Sequence, residues 1–420
     1  MSPVFDNSFD FIVLDECQHF VEAISAYTDL SFKWIMQHTA QKIFMSATAK
    51  TLFRYLIEEK HVSLDNYYYI QKSYDYVDEI YFFNKKADIE YIVDDLFNNT
   101  EDKFIVFANS LDECKKLYYK YQEDAVFYCS PYTEDKEAKQ ILRNQPYKIE
   151  GETFVTRLLV ATSALDVGIT LKDYSIKHVI ASIFNHNQLA QCLGRKRKII
   201  KTDRQYIEGL HDSCTFYIRN FNRREMNLMD KSYELKEMEL FQFDYAQWTL
   251  KYGSDRIHRY KYIWHDFDLK EWSLNELGYM LTKQHQLDLY EMREKVIAID
   301  REGNEIKGTG YKRFVIDKLK LPEWKVKDYE EVKKEEQELS LEQYLDSIVG
   351  KRLFKEQQVE LKENFKKNGL NARTLGINTL NGNLKDRKMS FEIIPKQSSK
   401  RDGGQVKTFR YWEVISDVKR

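Results

Sequence analysis

The chain has 420 residues, 43% of them hydrophobic, 14% aromatic and 31% charged, with a formal net charge of −2. Such a length exceeds what one hydrophobic core supports and such a composition builds packed cores inside a charged surface, so a soluble globular protein of three domains is expected. No apolar run approaches the roughly 18 residues a membrane helix needs, and the N-terminus carries no basic start followed by an apolar run and a small-residue cleavage site; a cytoplasmic location is expected.

The first elements in chain order are short apolar runs separated by polar helical stretches, the pattern of a parallel α/β sheet. Candidate strands are Phe11–Leu14, Lys42–Met45, Phe104–Phe107, Ala125–Tyr128, Leu158–Ala161 and His178–Ala181. Each ends in small or polar residues, and ligands of open α/β sheets collect at the carboxyl ends of strands. A tyrosine-rich segment between Asn66 and Phe83 is expected to connect one sheet to the next. From Arg223 to Trp324 the spacing predicts long helices with core aromatics, among them 269–280 and 284–296. The acidic run Lys325–Leu339 predicts a solvated helix or linker, and a last compact unit follows it. The expected domains are therefore residues 1–70, 71–222, 223–330 and 340–420.

Five cysteines, Cys17, Cys114, Cys129, Cys192 and Cys214, occur without a Cys-x-x-Cys pair, which argues against a zinc site or a disulfide framework and predicts buried thiols. Charge is unevenly distributed. Residues 340–420 hold 17 Lys+Arg against 10 Asp+Glu, an excess of 7, which leaves the rest of the chain near −9. The tail is the natural place for phosphate contacts.

Chemistry-bearing motifs follow the strands. Phe11-Ile-Val-Leu-Asp15-Glu16-Cys17-Gln18 sets two adjacent carboxylates after an apolar strand. In a nucleotide hydrolase the first would hold Mg2+, directly or through water, and the second would orient or deprotonate the attacking water; a polar turn or helix cap is the simpler alternative. About thirty residues on, Ser46-Ala47-Thr48 repeats the strand-then-small-polar arrangement. Phe104-Ile-Val-Phe-Ala-Asn109-Ser110 and Leu158-Leu-Val-Ala-Thr162-Ser163-Ala-Leu-Asp166-Val-Gly168-Ile-Thr170 do so again, and helix capping is their simpler alternative. Gln188-Leu-Ala-Gln191-Cys-Leu-Gly194-Arg195-Lys196-Arg197-Lys198 combines a glutamine, a glycine and a basic run. A solvated basic helix end accounts for the charges there but not for Gln191 and Gly194 at their offsets.

Taken in this order over residues 9–198, these motifs resemble those of superfamily 2 DEAD/DEAH-like helicases, of the kind found in phage and mobile-element replication and repair modules. The resemblance implies an ATP-dependent, Mg2+-dependent nucleic-acid helicase or translocase. It implies the carboxyl-terminal part of one RecA-like domain and a complete second RecA-like parallel-sheet domain, in an α/β fold. Asp15, Glu16 and Gln18 would serve hydrolysis with Arg195 and Arg197 as arginine fingers. Ser46, Thr48, Asp166, Gly168, Gln191 and Gly194 would couple it to domain movement. Asn109, Ser110, Thr162 and Ser163 would contact single-stranded nucleic acid, expected to be DNA, in the motor cleft.

Several features depart from the family. Gly-Arg-Lys-Arg-Lys stands where many members have Gly-Arg-x-Gly-Arg, leaving Arg197 or Lys198 as the second finger; Arg197 is favoured because lysine cannot make bidentate phosphate contacts. Thr170 stands where many relatives carry an acidic residue. No Gly-x-x-x-x-Gly-Lys-[Ser/Thr] loop occurs in the sequence, and Gly350-Lys351-Arg352 lacks both the earlier glycine and the hydroxyl. Without that cradle of amides ATP binding is severely weakened. The isolated chain is therefore expected to be inactive, with the phosphate-loop half lost or carried by a separate polypeptide. A non-catalytic DNA-binding or adaptor fragment is the competing expectation.

In the tail, helices over 341–354, 356–367 and 371–387 and strands over 390–394 and 408–415 make the outline of a winged helix. It is similar to the C-terminal winged-helix units of phage and plasmid replication proteins. The segment 373–388 would be the recognition helix and the basic turn 396–407 the wing, with duplex DNA contacted by Arg373, Lys385, Arg387, Lys388, Lys400, Arg401 and Lys407.

Overall fold

The computed structural model describes residues 9–18, 20, 26–60, 62–70, 73–166, 169–266, 270–293, 298–299, 305–306, 310–402 and 405–416. The chain divides into two compact units, Met1–Val326 and Lys327–Arg420.

In the first unit, β1 (Phe11–Leu14), α1 (Ala26–Gln37), β2 (Gln41–Phe44) and α2 (Lys50–Glu58) form a small α/β layer whose two strands run parallel. Leu52, Tyr55 and Leu56 lie at i, i+3 and i+4 on α2 and are buried together with Cys17 and Phe32. The opposite face of the strands is bare: Phe11 is 59% exposed and Val13 57%. Parallel strands are ordinarily covered on both faces.

The larger α/β layer contains β3 (Val77–Phe83), α3 (Asp88–Asn99), β4 (Lys103–Phe107), α4 (Leu111–Lys120), β5 (Ala125–Tyr128), α5 (Lys136–Asn144), β6 (Leu158–Ala161), β7 (Ile176–Ala181), α6 (His186–Leu193) and β8 (Cys214–Arg219). Its strands lie in the order β3-β8-β7-β4-β6-β5, every pair parallel. A seventh, at the β3 edge, begins at Val326. From Phe104 to Phe107, β4 is like β6 an unbroken apolar run because both faces are covered; every residue of β6 is buried. Helix α3 turns Ile89, Ile92, Val93 and Leu96 inward at helical spacing.

The rest of the unit comprises α7 (Arg223–Leu228), α8 (Ser232–Phe243), α9 (Tyr245–Tyr252), an antiparallel hairpin of β9 (Ile263–Asp266) and β10 (Glu271–Leu274), α10 (Glu276–Arg293) and α11 (Tyr311–Leu319). Met238, Phe241, Trp248, Tyr260 and Tyr262 form its core, as expected for the aromatics of this region.

The second unit contains α12 (Tyr329–Ile348), β11 (Arg352–Leu353), α13 (Lys355–Lys367), α14 (Ile377–Asp386), β12 (Phe391–Asp402) and β13 (Gln405–Ser416). The strands form an antiparallel sheet in the order β11-β13-β12 over a core that includes Leu341, Phe365, Leu380 and Val414.

Several expected elements differ. The connector placed at 66–83 ends in a sheet strand, because Val77, Ile80, Phe82 and Phe83 are fully buried between neighbours. The helix expected over 269–280 is instead strand β10 followed by the start of α10, and residues 267–269 and 294–297 lie outside the described residues. The acidic run, expected as a solvated helix or linker, takes the helical form: from Tyr329 it is the first half of α12, with Glu330 and Glu331 in a first turn that favours negative charge. The helix placed at 341–354 stops at Ile348, and Arg352–Leu353 pairs with β13. The basic turn placed at 396–407 is mostly strand: the ladder runs unbroken from Phe391↔Ser416 to Asp402↔Gln405, with Gly403 and Gly404 outside the described residues.

Candidate functional site

The loops after β1 and β2 are locked together by backbone. Met45 N–H donates to Leu14 O (2.9 Å), and Cys17 N–H donates to Met45 O (3.0 Å). Glu16 is held at φ +50°, a conformation that costs a non-glycine residue about 1–3 kcal/mol, and its N–H donates to the Asp15 Oδ1 (2.9 Å). Asp15 is exposed and Glu16 half-buried. Cys17 faces the core, and burial pushes its thiol up to about 12, so it stays a neutral packing group.

From Glu16 a continuous hydrogen-bonded chain crosses between the two α/β layers. Gln191 Nε2, on α6, donates to Thr48 Oγ1 (2.8 Å). Thr48 N–H donates to Ser46 Oγ (3.0 Å), the Ser46 hydroxyl donates to Gln18 Oε1, and Gln18 Nε2 donates to the Glu16 carboxylate (2.8 Å). Gln18, Thr48 and Gln191 are buried, at 2%, 8% and 4% exposure. Every donor points towards the carboxylate, and from the Thr48 N–H onward, where the Ser46 hydroxyl and the Gln18 amide each accept and donate, successive bonds polarise one another. Ser46 also accepts from Ala49 N–H (3.0 Å), which caps the entry to α2 and ties that helix to the chain.

Helix α6 is started by Asn185, whose side chain accepts from Asn187 and Gln188 N–H, and it ends at Gly194. Beyond Gly194 the backbone is clamped to the segment after β6. Leu171 N–H donates to Arg195 O (2.8 Å) and Arg197 N–H to Leu171 O (3.0 Å). Arg195 is buried and its Nη1 donates to Ile169 O (2.9 Å). Arg197 is exposed and meets no carboxylate among the described residues, whereas Lys198 pairs with Asp75. Between the two candidate fingers, Lys198 is therefore the occupied one.

Lys196 would be exposed on the simpler alternative of a solvated basic helix end. It is fully buried and sits on Asp212, with Nζ at 2.7 Å from Oδ1 and 2.8 Å from Oδ2. Asp212 also accepts Ile199 N–H (2.8 Å), and Lys196 O accepts from the Tyr76 hydroxyl (3.1 Å). This pair fixes the basic loop from beneath. Nothing in the local sequence marks Asp212; only its place just before a strand start would have drawn attention to it.

Asn109 and Ser110 follow β4, and Thr162 and Ser163 follow β6, so the two pairs share the carboxyl edge of neighbouring strands. Ser110 also does what its simpler alternative demands: its side chain accepts from Glu113 N–H (3.3 Å) at the start of α4. Asp166 closes a short turn, Ser163–Asp166, its side chain not being among those described, and Gly168 lies outside the described residues. In the second unit Arg373, Arg387 and Lys388 flank α14 rather than lying in it, and Lys385 is in its last turn. Arg387 donates to Asn368 O (2.6 Å), while Arg373, Lys385, Lys388, Arg401 and Lys407 are exposed. Lys400 pairs with Lys407 across the hairpin backbone.

Among the described residues no cluster of three or more His, Cys, Asp or Glu forms a metal site, and no helix is long and apolar enough to cross a membrane. No family profile and no curated protein matches the chain. Solved structures with some likeness include S. cerevisiae Dbp5 bound to RNA and ADP BeF3, at 16% identity and TM-score 0.37 over 53% of this chain and 56% of that one. A DEAD box protein from Methanococcus jannaschii has 16% identity and TM-score 0.28, over 52% and 55% of the two chains. The Pyrococcus furiosus Hef helicase domain has 21% identity and TM-score 0.19, over 33% and 26%. The chain thus spans about half the length of the first of these proteins.

Proposed function

We propose that the first unit forms two facing sides of a superfamily 2, nucleic-acid-dependent ATP motor. The observation that carries this is the hydrogen-bonded chain from Gln191 through Thr48, Ser46 and Gln18 to Glu16. It ties a carboxylate after one strand to a helix of the other layer, so a change at either end is felt at the other.

ATP with Mg2+ would supply a phosphoryl group whose charge spreads during hydrolysis, and the residues present fit one part of such a site. The exposed Asp15 suits the metal side, Glu16 the attacking water, and the exposed Arg197 the transition-state charge. Arg195, tied to Ile169 O, suits a positioning role. A phosphate cradle is not encoded in these 420 residues. A segment that carries it, in the same polypeptide or in another, would pack its strands and helices on the bare apolar face of β1 and β2. Single-stranded DNA would cross the carboxyl edge at Asn109, Ser110, Thr162 and Ser163.

The second unit favours a further reading as a winged-helix-like, duplex-DNA-binding tail in replication or repair, since its exposed hairpin carries Arg401 and Lys407 and its last 81 residues hold the positive excess. Without a phosphate-loop partner, the whole chain would then act as a DNA-binding adaptor.

Steady-state ATP hydrolysis tests the first reading. The chain alone is expected to show no nucleic-acid-stimulated turnover. Mixed with a polypeptide carrying a Gly-Lys-Thr loop, it is expected to hydrolyse ATP, with Glu16→Gln lowering kcat by at least about a hundredfold. Turnover in the mixture that Glu16→Gln leaves unchanged contradicts the proposal.

A further inference from the structure

Away from the hydrogen-bonded chain, α2, α8, β10 and α10 enclose a cavity of about 1090 Å³. Its walls carry exposed or half-exposed aromatic faces, those of Tyr245, Trp272 and Tyr279. Tyr245 is 50% exposed and stacked on the buried Trp248 (interplanar angle 14°), so its ring is held rigid with one side open. Trp272 is fixed edge-on against His258 and His265. Such rings are costly to leave wet and are preorganised for flat partners.

The charges around them are balanced, four cations against four carboxylates. Arg54 is held by Glu58 (2.7 Å) and Lys60 by Glu276 (3.8 Å), while Glu276 also accepts from the Tyr55 hydroxyl (2.7 Å). Glu59 and Glu271 are exposed and meet no cation among the described residues. A phosphate backbone needs a net positive groove, and this rim does not provide one. Flat heterocycles that present amine donors suit it: aromatic faces stack bases at about 1–3 kcal/mol each, and carboxylates accept from exocyclic amines.

We propose that this cavity takes unstacked bases of a single-stranded nucleic acid, stacking them on Tyr245 and Trp272 and accepting their amine edges with Glu59 and Glu271. The inference deepens the motor reading and rests on it for the ligand being nucleic acid. The placement gives it a consequence. Thr51 and Gln284 line both this cavity and a small adjoining one bounded by His186 and Asn187 at the start of α6, the helix that carries Gln191. Bases held here therefore bear on α6, which carries Gln191, and on α2, whose entry loop carries Thr48.

The test is equilibrium binding of the full chain to fluorescent 12-mers of dA, dC and dT and to an abasic 12-mer with the same number of phosphates. Base-bearing strands are expected to bind at least about tenfold more tightly than the abasic strand, a difference of roughly one stacked base. dA and dC are expected to bind more tightly than dT, which has no exocyclic amine. Tyr245→Leu with Trp272→Leu keeps apolar bulk and is expected to bring binding down to the abasic level in a chain whose circular dichroism shows it still folded; Glu59→Gln with Glu271→Gln is expected to remove the preference over dT. Equal affinity for abasic and base-bearing strands, or base-dependent binding that the leucine pair leaves intact, overturns the inference while leaving the motor reading in place. Failure to bind any strand, by contrast, rejects the nucleic-acid reading itself.

Discussion

Lys196 and Asp212 show how far a single residue can depart from what its neighbours in sequence predict. In the run Arg195-Lys196-Arg197-Lys198 all four look alike, yet one is fully buried, one is tied to backbone, one is paired on the surface and one is exposed. The separation is tertiary: an isolated parallel bridge to Leu171 fixes the backbone at Lys196, whose side chain meets Asp212, whereas Arg197 and Lys198 beyond it lie at the surface. Removing one partner of a buried pair leaves an uncompensated charge. Lys196→Met is therefore expected to destabilise the chain by about 3–5 kcal/mol in urea unfolding, and Lys196→Met with Asp212→Leu to recover most of that loss. Equal loss in the single and double variants would show that the loop is not held by this pair.

His186, at the start of α6, carries a second residue-scale prediction. Burial, with Lys318 and Lys50 nearby, holds its imidazole down at about 4, against an ordinary value of about 6.5. The unfolded chain therefore takes up the proton first. Stability is fully present above pH 6.5 and is lost as pH falls towards 4, by up to about 1.4 kcal/mol per pH unit. Burial depresses His178 and His285 in the same direction, while Asp288, raised by burial, works in the opposite sense. Unfolding free energy is expected to fall between pH 7 and pH 5, and His186→Gln to flatten that slope; an unchanged slope would remove His186 from the explanation.

At the scale of elements, strands that end in the motifs were legible because an apolar run followed by small polar residues has few other uses in a parallel sheet. Strand β3 was not, since Val77-Asp-Glu-Ile80 sets two acidic residues side by side and follows the tyrosine cluster; its burial comes from β8, which no local pattern announces. Residues 269–280 fooled helical periodicity because Glu271-Trp-Ser-Leu274 alternates over only four residues, too few to be told from one turn of an amphipathic helix. The cap at Ser110 and the Ser46–Gln18 hydrogen bond also arise from one sequence pattern, and only tertiary partners separate them. Hairpin β12–β13 extends further than its composition implied, because cross-strand pairing carries polar residues such as Ser398 and Ser399 along with it. If that hairpin contacts duplex DNA, Arg401→Glu with Lys407→Glu should weaken binding and reduce the salt slope of log K by roughly 2. A slope that stays the same would place the contact elsewhere.

For the whole first unit, the proposal comes down to one junction, the contact of Thr48 with Gln191 between the smaller layer and the larger sheet. Buried hydrogen bonds of this kind contribute only about 1 kcal/mol to stability, so selection for packing alone does not require a directed chain of them ending on a carboxylate. A double-mutant cycle on Thr48→Ala and Gln191→Ala, read in nucleic-acid-stimulated ATP hydrolysis by the chain supplied with a phosphate-loop segment, measures the junction directly. Each single variant is expected to lose most of the stimulation, and the double variant no more than either. Losses that simply multiply, or stimulation that survives in both single variants, would contradict a motor coupled through this contact.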